Sequence, residues 1–295
     1  MDTLFGVPIP GLLGQVVIGL VNGSFYAMLS LGLAVIFGVL RVINFSHGAF
    51  YMCGALLAWA GLAWAGIGYW MALLLAPLIV GVAGALVERH LLRKLYKADP
   101  LYGLLLTFGV ALLLEGVLLN AVGSSGLPYA PPPALAGGID LGFMVLPVYR
   151  AWVVAGSLAI CLSTWLVIER TKLGAYLRAG TENPRLLQAF GVNVPALVTA
   201  TYGAGVALAA LAGVLAAPVT QVSPLMGSNL LIVVFAVVVI GGMGSVLGAI
   251  VTGLALGVLE ALAKVFYPQF ATTVVFLVMV VVILVRPAGL FGRQA

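Results

Sequence analysis

Few side chains in this sequence could do chemistry, and they gather in three places. INFSHGAF at 43–50 sets Asn44, Ser46 and His47 between strongly apolar stretches. Thr107 and Glu115 stand inside the apolar run TFGVALLLEGVLLN. A polar run, TENPRLLQAFGVN, follows at 181–193. Bond-breaking chemistry would need a nucleophile beside a base, or paired carboxylates, whereas the acids within the apolar spans are few and isolated. His47 and His90 are the only histidines in the chain, too few for a histidine-rich metal site. GxxxxGK[ST], HExxH and GxSxG are all absent, so the chain has no Walker-type nucleotide loop of its own. No catalytic residue, cofactor or metal is expected.

What remains is polarity at breaks in apolar material, the pattern of a solute pathway. Asn44, Ser46, His47, Thr107 and Glu115 are the candidates for it. An ionised carboxylate facing lipid costs at least about 2.5–3.5 kcal/mol at a helix centre. Glu115 should therefore face protein or water, as a group that lines the pathway or senses a substrate ammonium, as a buried structural acid, or as an acid near the outer interface, where Asn120 follows. INFSHGAF has two readings. In one, Ser46 caps a helix that begins at His47 or Gly48, at the cytoplasmic end of a span after Arg41. In the other, a discontinuous helix points its N-terminal dipole, with His47, at the inner mouth of the pathway.

The elements that must hold these residues follow from composition. Hydrophobic residues make up 63% of the chain and charged ones 7%, with a mean hydropathy of +1.24. A soluble domain carries about 25% charged residues. Apolar runs long enough to cross a hydrocarbon core of about 30 Å recur from end to end, without the alternation of barrel strands. The expected fold is all-α: one polytopic transmembrane domain over 1–295, with roughly 8–10 transmembrane helices, some of them discontinuous. The 38 glycines suit close helix packing, or helix breaks where polar residues cluster with them. Cys53 and Cys161 read as small buried hydrophobes. The N-terminus lacks the basic region of a signal peptide, so the first span is expected to be retained.

Charge sets the orientation. Arg41, the cluster Arg89, Arg93, Lys94 and Lys97, the cluster Arg170, Lys172, Arg178 and Arg185, and the tail residues Arg286 and Arg293 are placed in the cytoplasm by the positive-inside rule. The stretch 122–149 contains no Lys or Arg and reads as an external loop. The basic balance is a topology signal and does not imply nucleic acid. Threading from an external N-terminus gives about nine passes, broken at GGMGS (241–245), with Asn22-Gly23-Ser24 a possible second break inside 11–40. Regions 43–66 and 241–257 are candidates for related halves of an inverted repeat. Glu260 and Lys264, four apart, read as a helix-surface pair. Trp59, Trp64, Tyr69, Trp70, Tyr149 and Trp152 read as an aromatic belt at the external boundary.

The cytoplasmic loop 169–193 contains a short amphipathic helix by its local chemistry. Asn183 suits the N-cap and Pro184 the first helical position. Leu186, Leu187, Ala189 and Phe190 form an apolar side, and Gly191 a stop. Two turns are not stable alone, so the helix must rest on its own spans or dock on a soluble partner.

At this point residues of a known family come into view. RAGTENPRLLQAFGVNV (178–194) resembles the coupling loop of ABC-importer permeases, with its acidic residue, Ala, and Gly followed by an apolar residue and Asn. Together with LRVINFSHGAFYMCGA (40–55), TFGVALLLEGVLLNAVG (107–123), VVVIGGMGSVLGAIVTG (237–253) and VRPAGLFGR (285–293), it makes nearly the whole chain resemble the LivH-type permeases of branched-chain amino acid ABC transporters. Where family members often have Ala-His at 46–47, this chain has Ser-His. The resemblance implies a multi-pass subunit of the bacterial inner membrane. Its partners would be a LivM-like sister permease, two cytoplasmic ATPases docked on the helix around 182–191, and an external binding protein. Glu182, Asn183 and Arg185 would then border the ATPase contact, Leu187 and Phe190 would be its buried anchors, and Gly191 would end the helix. Similar permeases carry urea, short amides and small organic acids, which stay open as substrates. A stand-alone secondary carrier is the alternative of another class, and uptake without any ATPase subunit would favour it.

Overall fold

The computed structural model describes residues 3–4, 6–40 and 42–292, so Arg41 and Arg293 lie outside the described residues. Leu, Ala and Val dominate the runs between breaks, and these runs form helices, because a backbone in hydrocarbon must satisfy its own hydrogen bonds. In chain order they are α1 (Ile9–Leu40), α2 (His47–Ala65), α3 (Tyr69–His90), α4 (Pro100–Val122), α5 (Val148–Arg170), α6 (Lys172–Glu182), α7 (Pro184–Ala189), α8 (Val194–Ala216), α9 (Met226–Gly241), α10 (Val246–Phe266) and α11 (Ala271–Val285). Among the described residues, eight helical spans are long and apolar enough to cross a membrane, and α9 is a shorter apolar helix. The protein is an all-α, multi-pass membrane protein.

Local chemistry sets several boundaries. Asp99 caps α4, its carboxylate accepting the N–H of Leu101 at 2.8 Å with Pro100 behind it. Ser245 caps α10 through the N–H of Gly248 at 3.1 Å, and the GGMGS break turns through Gly242 and Gly244, both at positive φ. Asn22-Gly23-Ser24 breaks nothing: α1 runs unbroken through it, because Gly23 is used for a close crossing against Leu254 of α10. Within 122–149 a short antiparallel hairpin pairs Gly138–Asp140 with Val145–Pro147.

Packing reveals an inverted repeat different from the pair of regions expected. The run α1, break, α2, α3, a 3-10 turn (Leu92–Leu95), α4 is matched by α8, break, α9, α10, a 3-10 turn (Pro268–Phe270), α11. The partners match too. α1 packs along α10 and α8 along α3, while α1 and α8 meet each other where Gly32 approaches the Gly205 carbonyl. The basic ends of α3 and α5 and the basic start of α6 place α1's C-terminus and α8's N-terminus at one end of the bundle, here the basic end. α4 and α11 are the outermost members, with only Gly103 and Thr107 buried on α4, and Ala271 and Val275 on α11.

Two side-chain expectations change. Glu260 is buried, not on the surface: it accepts the Tyr26 hydroxyl at 2.6 Å and Lys264 Nζ at 2.8 Å. Burying the carboxylate between α1 and α10 is possible because Lys264 pairs its charge and the Tyr26 hydroxyl satisfies its second oxygen. Of the aromatic belt, Tyr69 and Tyr149 are buried. The Tyr149 hydroxyl donates to the Leu215 carbonyl at 2.9 Å and Trp152 Nε1 donates to the Tyr69 hydroxyl at 3.1 Å, joining α3, α5 and α8.

Candidate functional site

The first candidate region is the break before α2, and it lies deep in the bundle rather than at the basic end. His47 Nε2 donates to the Leu29 carbonyl at 2.9 Å. Leu29 stands eleven residues before the end of α1, about 16 Å from it at 1.5 Å per residue. The chain therefore climbs back between α1 and α2, and α2 starts near mid-membrane. Its first turn meets the first turn of α9, which enters from the opposite side: a Cβ on Gly48 would lie 2.5 Å from the Gly227 carbonyl oxygen. Two helix N-termini, each a partial positive charge, thus face one another inside the protein.

Ser46 does not cap α2. Its backbone is already helical and its side chain makes no capping bond. Instead the hydroxyl donates to Asn44 Oδ1, which also accepts the Ser46 N–H at 3.1 Å. Asn44 closes the turn that Ser46 was expected to close, because a residue two positions earlier can fold its amide back onto the N–H. Thr107 supports the same turn from α4, accepting the Phe45 N–H at 3.1 Å and donating to the Leu104 carbonyl at 3.0 Å. Asn44, Ser46, His47 and Thr107 are all buried. The structure thus gathers these four around one break, where they brace the backbone.

Glu115 differs from them. It is half-buried on α4 and borders a cavity of about 220 Å³ with Gly48, Phe108, Pro224, Gly227 and Ser228. It makes no ion pair among the described residues. A second cavity of about 180 Å³, lined by Leu33, Asn44, Phe45, Leu231 and Phe235, shares Phe45 and Leu231 with the first. The pair offers a carboxylate and two helix N-termini next to apolar walls.

The second region is the loop 169–193, which is more helical than expected. α5 continues to Arg170, and α6 occupies Lys172–Glu182 before the short α7. A Cβ at Gly174 would fall 1.6 Å from the Ile168 carbonyl oxygen, so only glycine permits the tight α5–α6 corner. Asn183 caps α7, accepting the Leu186 N–H at 3.0 Å with Pro184 in the first turn, and Gly191 follows with φ 83°. Leu187 is buried within the chain, beside Gly180, so it anchors α7 to α6 and is not free to anchor a partner. Phe190 and Leu186 are exposed, at 77% and 55%. Glu182 and Arg185 are exposed beside them and make no ion pair among the described residues.

An inverted repeat of membrane helices, interrupted at mid-depth and carrying a helical module at its basic end, is an arrangement that suits a membrane transport protein. The comparisons agree. The model of the family described as branched-chain amino acid transport system / permease component matches residues 15–285, and the chain belongs to that family. It is 31% identical to the high-affinity branched-chain amino acid transport system permease protein BraD of Pseudomonas aeruginosa, covering 95% of this chain and 96% of that one. To the permease LivH of Escherichia coli it is 28% identical, with the same coverage. To the permease LivM of that species it is also 28% identical, over 90% of this chain and 67% of LivM. No solved structure matches.

Proposed function

We propose that this chain is one of two membrane subunits of an ATP-binding-cassette importer that moves branched-chain amino acids across the bacterial inner membrane. The names of its relatives support the substrate class. Similarity to both LivH and LivM supports pairing with a LivM-like sister permease. The observation that carries the ATP-driven reading is α7, a capped two-turn helix at the basic end with Phe190 and Leu186 turned to solvent. Within the chain those two side chains have nothing to do. On a groove of a cytoplasmic ATPase they are anchors, with Glu182 and Arg185 at the rim. An external binding protein delivers the solute, and ATP-driven closure of two ATPases shifts α7 and rocks the repeats between outward- and inward-facing states. The test is reconstitution into liposomes. Leucine uptake is expected only with the sister permease, binding protein, ATPases and internal ATP all present, and uptake by the permeases alone overturns the reading.

The route of the solute is proposed to pass the two adjoining cavities. Glu115 takes the α-ammonium, the first turns of α2 and α9 favour the carboxylate, and the apolar walls accept the branched side chain. A hydrogen bond to a charged group is worth about 1.5–3 kcal/mol, so Glu115→Gln is expected to lower leucine uptake by about 10- to 100-fold, with the complex still assembled. Uptake kinetics on proteoliposomes check this, and an unchanged rate removes Glu115 from the route.

A further inference from the structure

The fully buried Glu88 has no part in the pathway or in the expected docking surface. It lies in the last turns of α3 at the basic end, and three side chains converge on it. The Thr199 hydroxyl of α8 and the Tyr96 hydroxyl both donate to its carboxylate, and Arg93 Nε lies 3.5 Å away. Burial, followed by the bond to Glu88, raises the Tyr96 phenol above its ordinary range, so it remains a donor. Arg93 reaches on across α8: its Nη2 donates to the Pro195 carbonyl at 2.8 Å and to Thr199 Oγ1 at 2.6 Å.

The position of this knot suggests what it does. α8 is the direct continuation of α7, and the short link between them is itself held. The Val192 N–H donates to the Leu187 carbonyl at 3.4 Å, and Asn193 caps α8 through the Ala196 N–H at 3.1 Å. Deeper in the membrane α3 and α8 are already joined at Gly81, Gly84 and Gly203, so the knot is not needed to bring the two helices together. It locks them only at the end where a displaced α7 would push. Tyr26, Glu260 and Lys264 form a comparable knot between α1 and α10 at the opposite end, remote from α7.

We propose that Glu88 is a positioning residue for coupling: with Thr199 and Arg93 it ties the first two turns of α8 to α3, so that movement of α7 displaces both helices as one body. This rests on the reading that α7 docks on an ATPase. The test uses the complete transporter in liposomes, with leucine taken up per ATP hydrolysed as the readout. Glu88→Gln and Thr199→Val are expected to lower that ratio at least tenfold while hydrolysis continues, and Thr199→Ser to restore it. Tyr26→Phe, which removes a comparable buried bond at the far end, is expected to leave the ratio unchanged. Melting temperatures in detergent accompany each variant. A normal ratio in both Glu88→Gln and Thr199→Val overturns the inference alone, as does an equal fall in Tyr26→Phe. Absence of ATPase from the purified wild-type complex overturns the docking reading, and this inference with it.

Discussion

Gly54→Leu is expected to prevent the bundle from assembling, and even Gly54→Ala to lower its stability by several kcal/mol, while Gly109→Ala changes it little. Both sites are in helix interiors, where replacing Gly by Ala contributes about 0.5–1 kcal/mol by restricting the backbone. Packing decides the difference. Where α2 crosses α8, a Cβ on Gly54 would lie 2.1 Å from the Ala210 carbonyl oxygen and 2.5 Å from the Ala210 Cα. Both obstacles are backbone, so no side chain can rotate out of the way. Carbon contacts settle near 3.5–4.0 Å, and α2 and α8 would have to part by about 1 Å or more. Opening that seam also lifts Tyr51 from Gly213, whose own missing Cβ would stand 2.0 Å from the Tyr51 carbonyl oxygen. In lipid no hydrophobic force draws helices together, so the lost contacts are most of what joined them. Overpacking costs about 1–3 kcal/mol in ordinary cores, occasionally more, and a backbone-on-backbone clash belongs at the top of that range. Gly109, on the outer helix α4, has nothing within 4 Å of its Cβ position. Thermal unfolding of the purified subunit in detergent reads the contrast. A Gly54→Ala protein as stable as the wild type would mean that α2 and α8 do not cross as described.

That crossing also shows which features were legible in the sequence. Asn183, Pro184 and Gly191 mark α7 correctly because caps and stops act within a few residues. GGMGS marks the α9–α10 break for the same reason. The depth of the INFSHGAF break was not legible, since it depends on where α1 lies when His47 meets Leu29. Gly23 reads as a breaker until α10 is seen against it. The burial of the two carboxylates depends on long-range partners as well as local ones: Glu88 accepts a bond from 111 residues away and Glu260 from 234. Neither spacing leaves a local pattern. The inverted repeat persists in packing rather than in letters, with His47 before Gly48 in one half and Met226 before Gly227 in the other. Leu187 and Phe190 look equally available in an apolar helix face, and only the placement of α6 buries the first and leaves the second outside.

That asymmetry makes the sharpest test of docking. Phe190→Ala is expected to abolish most transport while leaving the subunit as stable as before. At 77% exposure the ring contributes little to this chain's own packing, so its loss should not move the melting temperature. An exposed aromatic beside an exposed leucine, presented by a capped helix, has the character of an interface anchor, and truncating such anchors costs about 2 kcal/mol or more. That corresponds to about a 30-fold loss of affinity for the ATPase. Leu187→Ala should behave in the opposite order. Removing a buried leucine costs about 2–5 kcal/mol locally, so α7 should detach from α6 and protease sensitivity at 180–193 should rise before any contact with a partner is tested. Measuring ATPase binding, melting temperature and limited proteolysis on both variants separates the two roles. If Phe190→Ala binds the ATPase as tightly as the wild type, the exposed face of α7 is not the docking surface, and the partner must engage elsewhere on the basic end.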